Sequence, residues 1–377
     1  MLYAGFLIRQ ERLKRNWSQE GLCKDICTVS YLSKIEKGKA EPSEEILRML
    51  MSSMGLKWFS ADREKEAVIQ KAYEILWGFD EGLQEFLSKQ DADLFIYSPY
   101  GPDWLLLCRY ANDGSPVDEE LETCLNHKQL ALQRILQGRC QEAICLFPIG
   151  FVQYMASVSD YNAGKYTPAL EKLQSAYQQA AQEGRARLML YCKMMMGNCY
   201  SNQNNLPAME HHYEVALRLA ESLLDESAAA SIAYNRAATQ VEMGDYEQAL
   251  IYFKSIENPK RMALHKHAIC LEKLGRKEEA LSVLDKAQTS PLTYEKYGDL
   301  EMLLLDIVRV RVEDPDYLKN ADYGEKLIRG FDLCLKLLPS GYAQFHLPWL
   351  MEWYEHNRQY KKAMEVLRFF PEKRINH

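Results

Sequence analysis

The stretch Gly244-Asp245-Tyr246-Glu247-Gln248-Ala249-Leu250 joins the end of one predicted helix to the start of the next. Glycine ends helices because it adopts the left-handed conformation without a steric penalty, and a small alanine allows two helices to approach closely. A turn residue, a larger residue and an alanine follow one another in the same order at 164–170, 275–281 and 358–364, and more weakly at 138–144 and 206–209. This recurrence predicts a repeated pair of helices.

The alanine in each copy, which we call the marker residue, sets the period of the repeat. Most intervals between markers are 31 to 46 residues and the first is 26, with a degenerate copy near 323–327. The markers are Ala143, Ala169, Ala208, Ala249, Ala280 and Ala363. This period resembles the tetratricopeptide repeat with lengthened loops, which implies a right-handed α-superhelix with a concave inner surface. A generic helical bundle is the alternative.

The rest of the chain also has the sequence pattern of α-helices. Apolar residues recur at spacings of three and four, and glycine and proline separate the segments, whereas alternating β-branched runs are missing. The sequence therefore predicts an all-α protein. Ten scattered cysteines form no C-x-x-C pair, so we expect small buried apolar residues and neither a metal site nor a cofactor.

The first 60 residues carry a different pattern of short helices. Ser18 is placed to cap a helix that begins at Gln19, a second helix runs over 29–36 and ends at Lys37-Gly38-Lys39, and Ser43 is placed to cap a third. This resembles the Cro/repressor-type helix-turn-helix family. The matching residues are Ser18, Gln19, Leu22, Ser33, Ile35, Glu36, Gly38, Lys39, Pro42 and Ser43. The chain departs from the pattern at Gly21, where the family usually has Glu, and its turn is one residue shorter.

The resemblance implies that the second helix of the motif enters the major groove of DNA. Leu32 and Ile35 should face the domain core. Facing the DNA we expect Thr28, Ser30, Tyr31 and Lys34, with Gln19 at a helix N-terminus for a phosphate or base contact. Lys37, Lys39 and Arg12 are expected to neutralise phosphates.

Charge supports a division of the chain. The formal net charge is −7, but residues 1–60 carry 10 Lys+Arg against 7 Asp+Glu, a net +3, so the remainder carries −7 − 3 = −10. We predict a DNA-binding domain over 1–60, a helical connector with the first repeat helices over 61–119, and the repeat domain over 120–377. No apolar run is long enough to span a membrane and no secretory signal is visible, so we expect a cytoplasmic protein.

This order of domains resembles the bacterial quorum-sensing peptide receptors of the Rgg, PlcR, PrgX and NprR kind. The resemblance implies a homodimeric transcription regulator that binds an operator in double-stranded DNA, and whose concave groove binds a short signalling peptide. Counting back from the markers places Asn235 on the inner face, and Asn198 too if Gly197 sets the register. Both resemble asparagines that the family uses to hold peptide backbone. Other inner positions are Lys266, Tyr154 and Tyr191.

Two other functions compete with this one. The repeat domain could mediate protein–protein contacts or dimerisation only, with no peptide ligand. An enzyme is the alternative from another class, but the chain has no phosphate-binding loop, no nucleophile elbow and no H-E-x-x-H motif. The sequence therefore favours a regulator without catalytic residues.

Overall fold

The computed structural model describes residues 2–368, and within that range every regular element is a helix. The all-α prediction is confirmed. None of the described helices has the length and apolar composition needed to cross a lipid bilayer. The cysteines in this range are unpaired and mostly buried, as predicted. Cys145 is exposed instead, because it lies two residues after the buried Ala143 on the short helix Cys140–Leu146 and so faces the other way.

The N-terminal half of the chain begins with short helices that have polar caps. Ser18, Thr28 and Ser43 each accept a hydrogen bond from a backbone N–H of the helix that follows, as expected for N-cap residues. The helices are α1 Leu2–Lys14, α2 Gln19–Cys23, α3 Val29–Glu36, α4 Glu44–Ser53, α5 Arg63–Gly78, α6 Leu83–Ser88, α7 Ala92–Ile96, α8 Gly101–Asn112, α9 Glu119–Glu122, α10 His127–Leu136 and α11 Cys140–Leu146.

The remaining helices are mostly longer and alternate with tight turns. Gly244 ends α16 in the left-handed conformation, with φ of 81°, as its position in the repeat requires. The helices are α12 Gly150–Asn162, α13 Tyr166–Glu183, α14 Ala186–Asn202, α15 Leu206–Ser222, α16 Glu226–Met243, α17 Tyr246–Ser255, α18 Arg261–Lys273, α19 Lys277–Thr289, α20 Gly298–Glu313, α21 Ala321–Leu337, α22 Ser340–His356 and α23 Tyr360–Leu367, with 3-10 turns at Glu295–Tyr297 and Tyr317–Lys319.

The marker residues lie in the first turns of alternate helices, from α11 to α23. Five of the six are buried, and the degenerate copy places the buried Tyr323 in the first turn of α21. Ala208, the marker of the weakest copy, is half-buried, and its neighbour Met209 is buried instead. Helices α10–α23 are therefore consecutive pairs, which confirms the predicted helical repeat.

The helices form two compact units. The first contains the chain up to Ala156 together with Ser175–Leu188, and the second contains Ser157–Gln174 and the chain from Met189 onward. The domain boundaries predicted near residues 60 and 120 stay predictions.

In the first unit, the core of α1–α4 continues into the helices that follow. The Tyr3 hydroxyl donates a hydrogen bond to the carbonyl of Ile96 at 2.8 Å, and the backbone N–H of Phe59 donates to the carbonyl of Tyr97 at 2.8 Å. Gly101 is required at the contact, because a Cβ there would overlap the ring of Tyr3. The segment predicted as a connector is thus a platform on which the N-terminal helices pack.

In the second unit, two histidines are enclosed where α18 packs on α22. His265 is fully buried and neither of its ring nitrogens has a hydrogen-bond partner, while His346 Nδ1 pairs with the carbonyl of Tyr342 at 2.8 Å. The ring centroids are 5.4 Å apart. Burial, with a smaller effect from Lys266, lowers the pKa of His346 to about 4 and that of His265 well below its ordinary value, so both are neutral at pH 7.

These histidines predict a loss of stability in acid. A folded-state pKa below the unfolded value means that the unfolded chain binds more protons. The contribution of these histidines to the free energy of unfolding is therefore fully present above about pH 6.5 and is lost as the pH falls toward 4. At its steepest, each histidine contributes about 1.4 kcal/mol per pH unit to this loss. Urea unfolding of the His346→Gln variant between pH 7 and pH 4.5 should show a shallower loss than the wild type.

The exposed His127 provides the matched control. The His127→Gln variant should keep the wild-type pH dependence. An unchanged pH dependence in His346→Gln would contradict the assignment of a neutral, buried His346.

Candidate DNA-binding helix and ligand cavity

Helix α3 is positioned by α1 and α2 through a small apolar core. Leu22, Leu32 and Ile35 are at most 1% exposed, as predicted for Leu32 and Ile35. Gly5 lets α1 approach closely, because a Cβ at that position would overlap the carbonyl of Ile35. Thr28 caps α3 by accepting a hydrogen bond from the N–H of Tyr31. The orientation of α3 therefore follows from contacts on its buried side.

A buried ion pair joins the end of α1 to the end of α3. Arg12 Nε donates to Glu36 Oε1 at 2.6 Å and Arg12 Nη2 donates to Glu36 Oε2 at 2.9 Å, which is the bidentate geometry of a strong charge-assisted pair. The hydrogen bond with Glu36 raises the pKa of Arg12 above its ordinary value. Arg12 also donates to the carbonyl of Trp17, and Gln19 Nε2 donates to Glu36 Oε2 at 2.7 Å. One carboxylate thus fixes α1, the start of α2 and the end of α3.

The predicted DNA-contacting residues have different environments. Thr28, Ser30, Lys34, Lys37 and Lys39 are exposed, and the Thr28 hydroxyl is occupied as the helix cap. Arg12, which was predicted to neutralise a phosphate, is instead buried and paired with Glu36.

Tyr31 and Gln19 are half-buried and hydrogen-bonded within the domain. The Tyr31 hydroxyl donates to the carbonyl of Glu41 at 3.2 Å, and the amide of Gln19 is engaged with Glu36. Val29 is 42% exposed at the start of α3, and the sequence analysis missed it as an apolar surface residue.

In the second unit, helices α14, α15, α16, α18 and α22 surround a cavity of about 150 Å³, which we call the amide cavity. It brings together Asn198, Asn235 and Lys266 from three different helices. Its other lining residues are Tyr161, Ser201, Asn202, Tyr213, Tyr234, Ala238, Thr239, Glu242, Pro339, Gly341, Tyr342 and Phe345.

Asn198 and Asn235 have unequal roles in the amide cavity. Asn198 Oδ1 accepts two hydrogen bonds, one from the Tyr213 hydroxyl at 2.7 Å and one from Asn235 Nδ2 at 2.9 Å. Burial raises the pKa of Tyr213 well above its ordinary value, so this hydroxyl remains a donor. Among residues 2–368, no side chain or backbone group donates to Asn235 Oδ1. Asn198 therefore orients Asn235, whose carboxamide oxygen and second N–H hydrogen are available to a ligand.

Several residues that the sequence analysis missed hold the asparagines in place. Asn202 Nδ2 donates to the carbonyl of Asn198 at 2.9 Å, and Asn202 Oδ1 accepts from the Tyr166 hydroxyl at 3.2 Å. The Ser201 and Thr239 hydroxyls pair at 2.7 Å, which links α14 to α16. The spacing of Asn198 and Asn202, four residues apart on one helix face, was the available signal.

Lys266 is buried in the wall of the amide cavity, with Nζ 2.8 Å from the centroid of the Phe345 ring. The other two predicted inner residues line neither this cavity nor the larger one described below. Tyr154 belongs to the first unit, where it packs edge-on against Phe79 at a centroid distance of 4.9 Å. Tyr191 lies two turns before Asn198 on α14, about 10 Å along the helix.

The N-terminal residues match a known family. Residues 8–58 match the helix-turn-helix family model. They form a helix-turn-helix domain of the Cro type. No curated protein matches the chain in sequence.

Comparison with solved structures identifies a fold that covers most of the chain. The crystal structure of a Rap protein complexed with competence and sporulation factor covers 82% of this chain and 97% of its own, with a TM-score of 0.61 and 15% identity. Bacillus thuringiensis PlcR in complex with the peptide PapR7 and DNA covers 83% and 100%, at 17% identity, with a TM-score of 0.35. The Rap alignment shows a shared helical-repeat fold. The chain thus joins a DNA-binding domain to a helical repeat, which is the organisation of a regulator.

The buried Arg12–Glu36 pair predicts a large effect of a single neutralisation. Glu36→Gln leaves the buried guanidinium without its counter-charge, and we expect a loss of about 3 kcal/mol in the unfolding free energy of the N-terminal domain. Urea unfolding followed by hydrogen exchange of α1 and α3 measures this effect. The matched substitution Glu45→Gln, at an exposed residue of α4, should change stability by less than about 1 kcal/mol. Equal losses in the two variants would refute the role given to Glu36.

Proposed function

We propose that this protein is a cytoplasmic transcription regulator that binds operator DNA as a homodimer and is controlled by a short signalling peptide bound in the amide cavity. The observation that carries the proposal is Asn235, which Asn198 holds in place while its carboxamide oxygen has no partner among the described residues 2–368. The peptide is expected to change the affinity of the dimer for its operator.

The DNA-binding part of the proposal rests on the exposed side of α3 and its C-terminal end. Ser30 and Lys34 project from the helix on the side opposite the buried Leu32 and Ile35. We assign them to the base edges of the major groove. Lys37 and Lys39 are exposed just after the helix, where they would neutralise phosphates.

We assign a smaller role in DNA binding to Thr28, Tyr31 and Gln19. Thr28 is exposed at the start of α3 with its hydroxyl in use as a cap, so its contact to DNA would come from the methyl group or the backbone. Tyr31 and Gln19 would act mainly by holding α2 and α3 in position, because their polar groups are bonded within the domain.

The peptide-binding part rests on what an extended backbone requires. Each peptide unit presents one donor and one acceptor, and burying them without partners costs free energy. A primary carboxamide satisfies both with one side chain. Asn235 has its oxygen and one N–H hydrogen available, whereas the oxygen of Asn198 already accepts two hydrogen bonds. We therefore assign the direct backbone contact to Asn235 and the orientation of Asn235 to Asn198.

Control of DNA binding would follow from a shift in population. A peptide that binds one arrangement of the repeat helices better than another favours that arrangement by the difference in its affinities. In a dimer, a change in the repeat domain would alter the spacing of the two helix-turn-helix domains relative to half-sites one helical turn, about 34 Å, or a multiple apart. Lys266 would be placed to meet a peptide carboxylate.

The alternative function, in which the repeat domain binds only a protein partner or a second copy, is favoured by one observation. Helix α23 exposes Tyr360 and Met364, at 61% and 58%, on the same face. If a contact with a protein partner covers this face, these two side chains would lie within it. Calorimetric titration with synthetic peptides encoded in short reading frames beside the gene separates the two functions, because heat of binding is expected only from a peptide receptor.

The assignment of α3 predicts the effect of Lys34→Ala. Loss of one base or phosphate contact should weaken binding to a site selected from random duplex DNA by about tenfold, as measured by gel shift at fixed salt. Lys277→Ala, which removes an equally exposed charge from α19, should bind with wild-type affinity. If Lys34→Ala also binds normally, Lys34 is not a contact residue.

The assignment of Asn235 predicts a separation of two activities. Asn235→Ala should lose the response to a peptide that binds the wild-type protein, because the backbone loses both of its partners, while operator binding without peptide is retained. Gln248→Ala on the exposed face of α17 should respond normally. A full peptide response in Asn235→Ala would show that the peptide binds elsewhere.

A further inference from the structure

A second, larger cavity lies beside the amide cavity in the same unit. Its volume is about 1030 Å³, and it shares the lining residues Glu242 and Phe345 with the amide cavity. It is lined by residues at the end of α16, the start of α17, the last turns of α18, and the middle and end of α22. A cavity of this size matches those that enclose small organic ligands or several side chains of a peptide.

The wall of the large cavity has an apolar part. Met243, which helps to form it, is 43% exposed, although methionine side chains are usually buried in proteins. A ligand that fills the cavity would remove this surface from water, which is favourable in proportion to the apolar area covered. Further wall residues are Val241, Tyr246, Ile269, Leu347, Trp349 and Met351.

The rim of the large cavity is acidic. It contains Glu242, Glu352 and Glu355, against the single permanent cation Lys273. Glu352 is paired with the buried Arg311 at 3.2 Å. Within the described residues 2–368, Glu242 and Glu355 form no ion pair. These two carboxylates provide a negative potential that a cationic group of a ligand would complement.

Gln344 is a polar residue in the wall of the large cavity. Its side chain is 5% exposed, lines the cavity, and has an Oε1 atom without a hydrogen-bond partner. Pro348, which also lines the cavity, has no backbone N–H, so the backbone carbonyl of Gln344 has no donor at its usual helical partner position. A ligand that carries N–H groups would complement this carbonyl.

We propose that the large cavity binds an apolar and positively charged segment of the same peptide that Asn235 holds by its backbone. This inference rests on the proposed function, because the amide cavity and the large cavity are adjacent. The segment carries one or more bulky aliphatic or aromatic side chains on the apolar wall. Within the same segment, a Lys, an Arg or the N-terminal ammonium group pairs with Glu242 or Glu355.

Selection from a display library of random heptapeptides tests this specificity and requires no candidate peptide at the outset. Three targets are compared in parallel: the full-length wild type, Asn235→Ala, and the double variant Glu242→Lys/Glu355→Lys. The wild type should enrich peptides that combine Leu, Ile, Phe or Met with Lys or Arg. The double variant should enrich Asp or Glu at the positions that were basic, and Asn235→Ala should enrich nothing.

The outcomes separate the failure of this inference from the failure of the proposed function. In one outcome, the wild type enriches peptides that Asn235→Ala does not bind. If those peptides show no preference for Lys or Arg, or if the double variant shows the same preference, the proposed specificity is wrong and the peptide site stands. If the wild type enriches no peptide, both are wrong.

A direct measurement covers the case in which the charge-reversed double variant misfolds. The most enriched wild-type peptide is labelled and its Kd measured by fluorescence anisotropy with the neutral double variant Glu242→Gln/Glu355→Gln. Two lost charge contacts should raise Kd about tenfold at low salt and less at high salt. Glu278→Gln, at an exposed acid of α19 outside both cavities, should bind as the wild type does. An equal Kd in the neutral double variant and the wild type would overturn the charge assignment.

Discussion

Close approach of paired helices at a buried alanine is the constraint on which the repeat domain depends. Ala169, Ala249 and Ala280 are completely buried in the first turns of their helices, and a larger side chain there would force the helices apart. Since no pair can bury its apolar face alone, each must stack on its neighbours. Stacking on one side leaves polar side chains of α14, α16 and α18 around a common cavity. The amide cavity is thus a consequence of how the pairs pack.

In the N-terminal domain, a buried polar contact fixes how the helices pack. Removing Arg12 and Glu36 from water is costly, and their pairing offsets that cost only because the geometry is bidentate and Gln19 and Trp17 supply further hydrogen bonds. The benefit is a defined orientation for α3. In both domains, therefore, a buried hydrogen-bonded side chain fixes the position of another group, as Glu36 fixes α3 and Asn198 orients Asn235.

Local patterns in the sequence predicted the helices and their caps well. Contacts between residues that are distant in the chain could not be predicted in this way. The caps at Ser18 and Ser43 and the repeat markers depend on neighbours a few residues away, so they could be predicted directly from the sequence. Asn198 and Asn235 look equivalent in the sequence, but Tyr213 on another helix occupies one carboxamide oxygen and leaves the other available. The hydrogen bond between Gln19 and Glu36 could not be predicted either, because the two residues are 17 positions apart in the chain.

By itself the sequence determined the helical period, the helix ends, the helix-turn-helix motif and the division of charge into +3 for residues 1–60 and −10 for the remainder. These features depend on residue type and on spacing within a few turns. Only the tertiary structure decided that Glu242 on α16 and Glu355 on α22 line the same apolar cavity, and that Gln344 lines it with an unpaired oxygen. Periodicity indicates which face of a helix is apolar, but the partner of that face is chosen by the packing of helices that are distant in the chain.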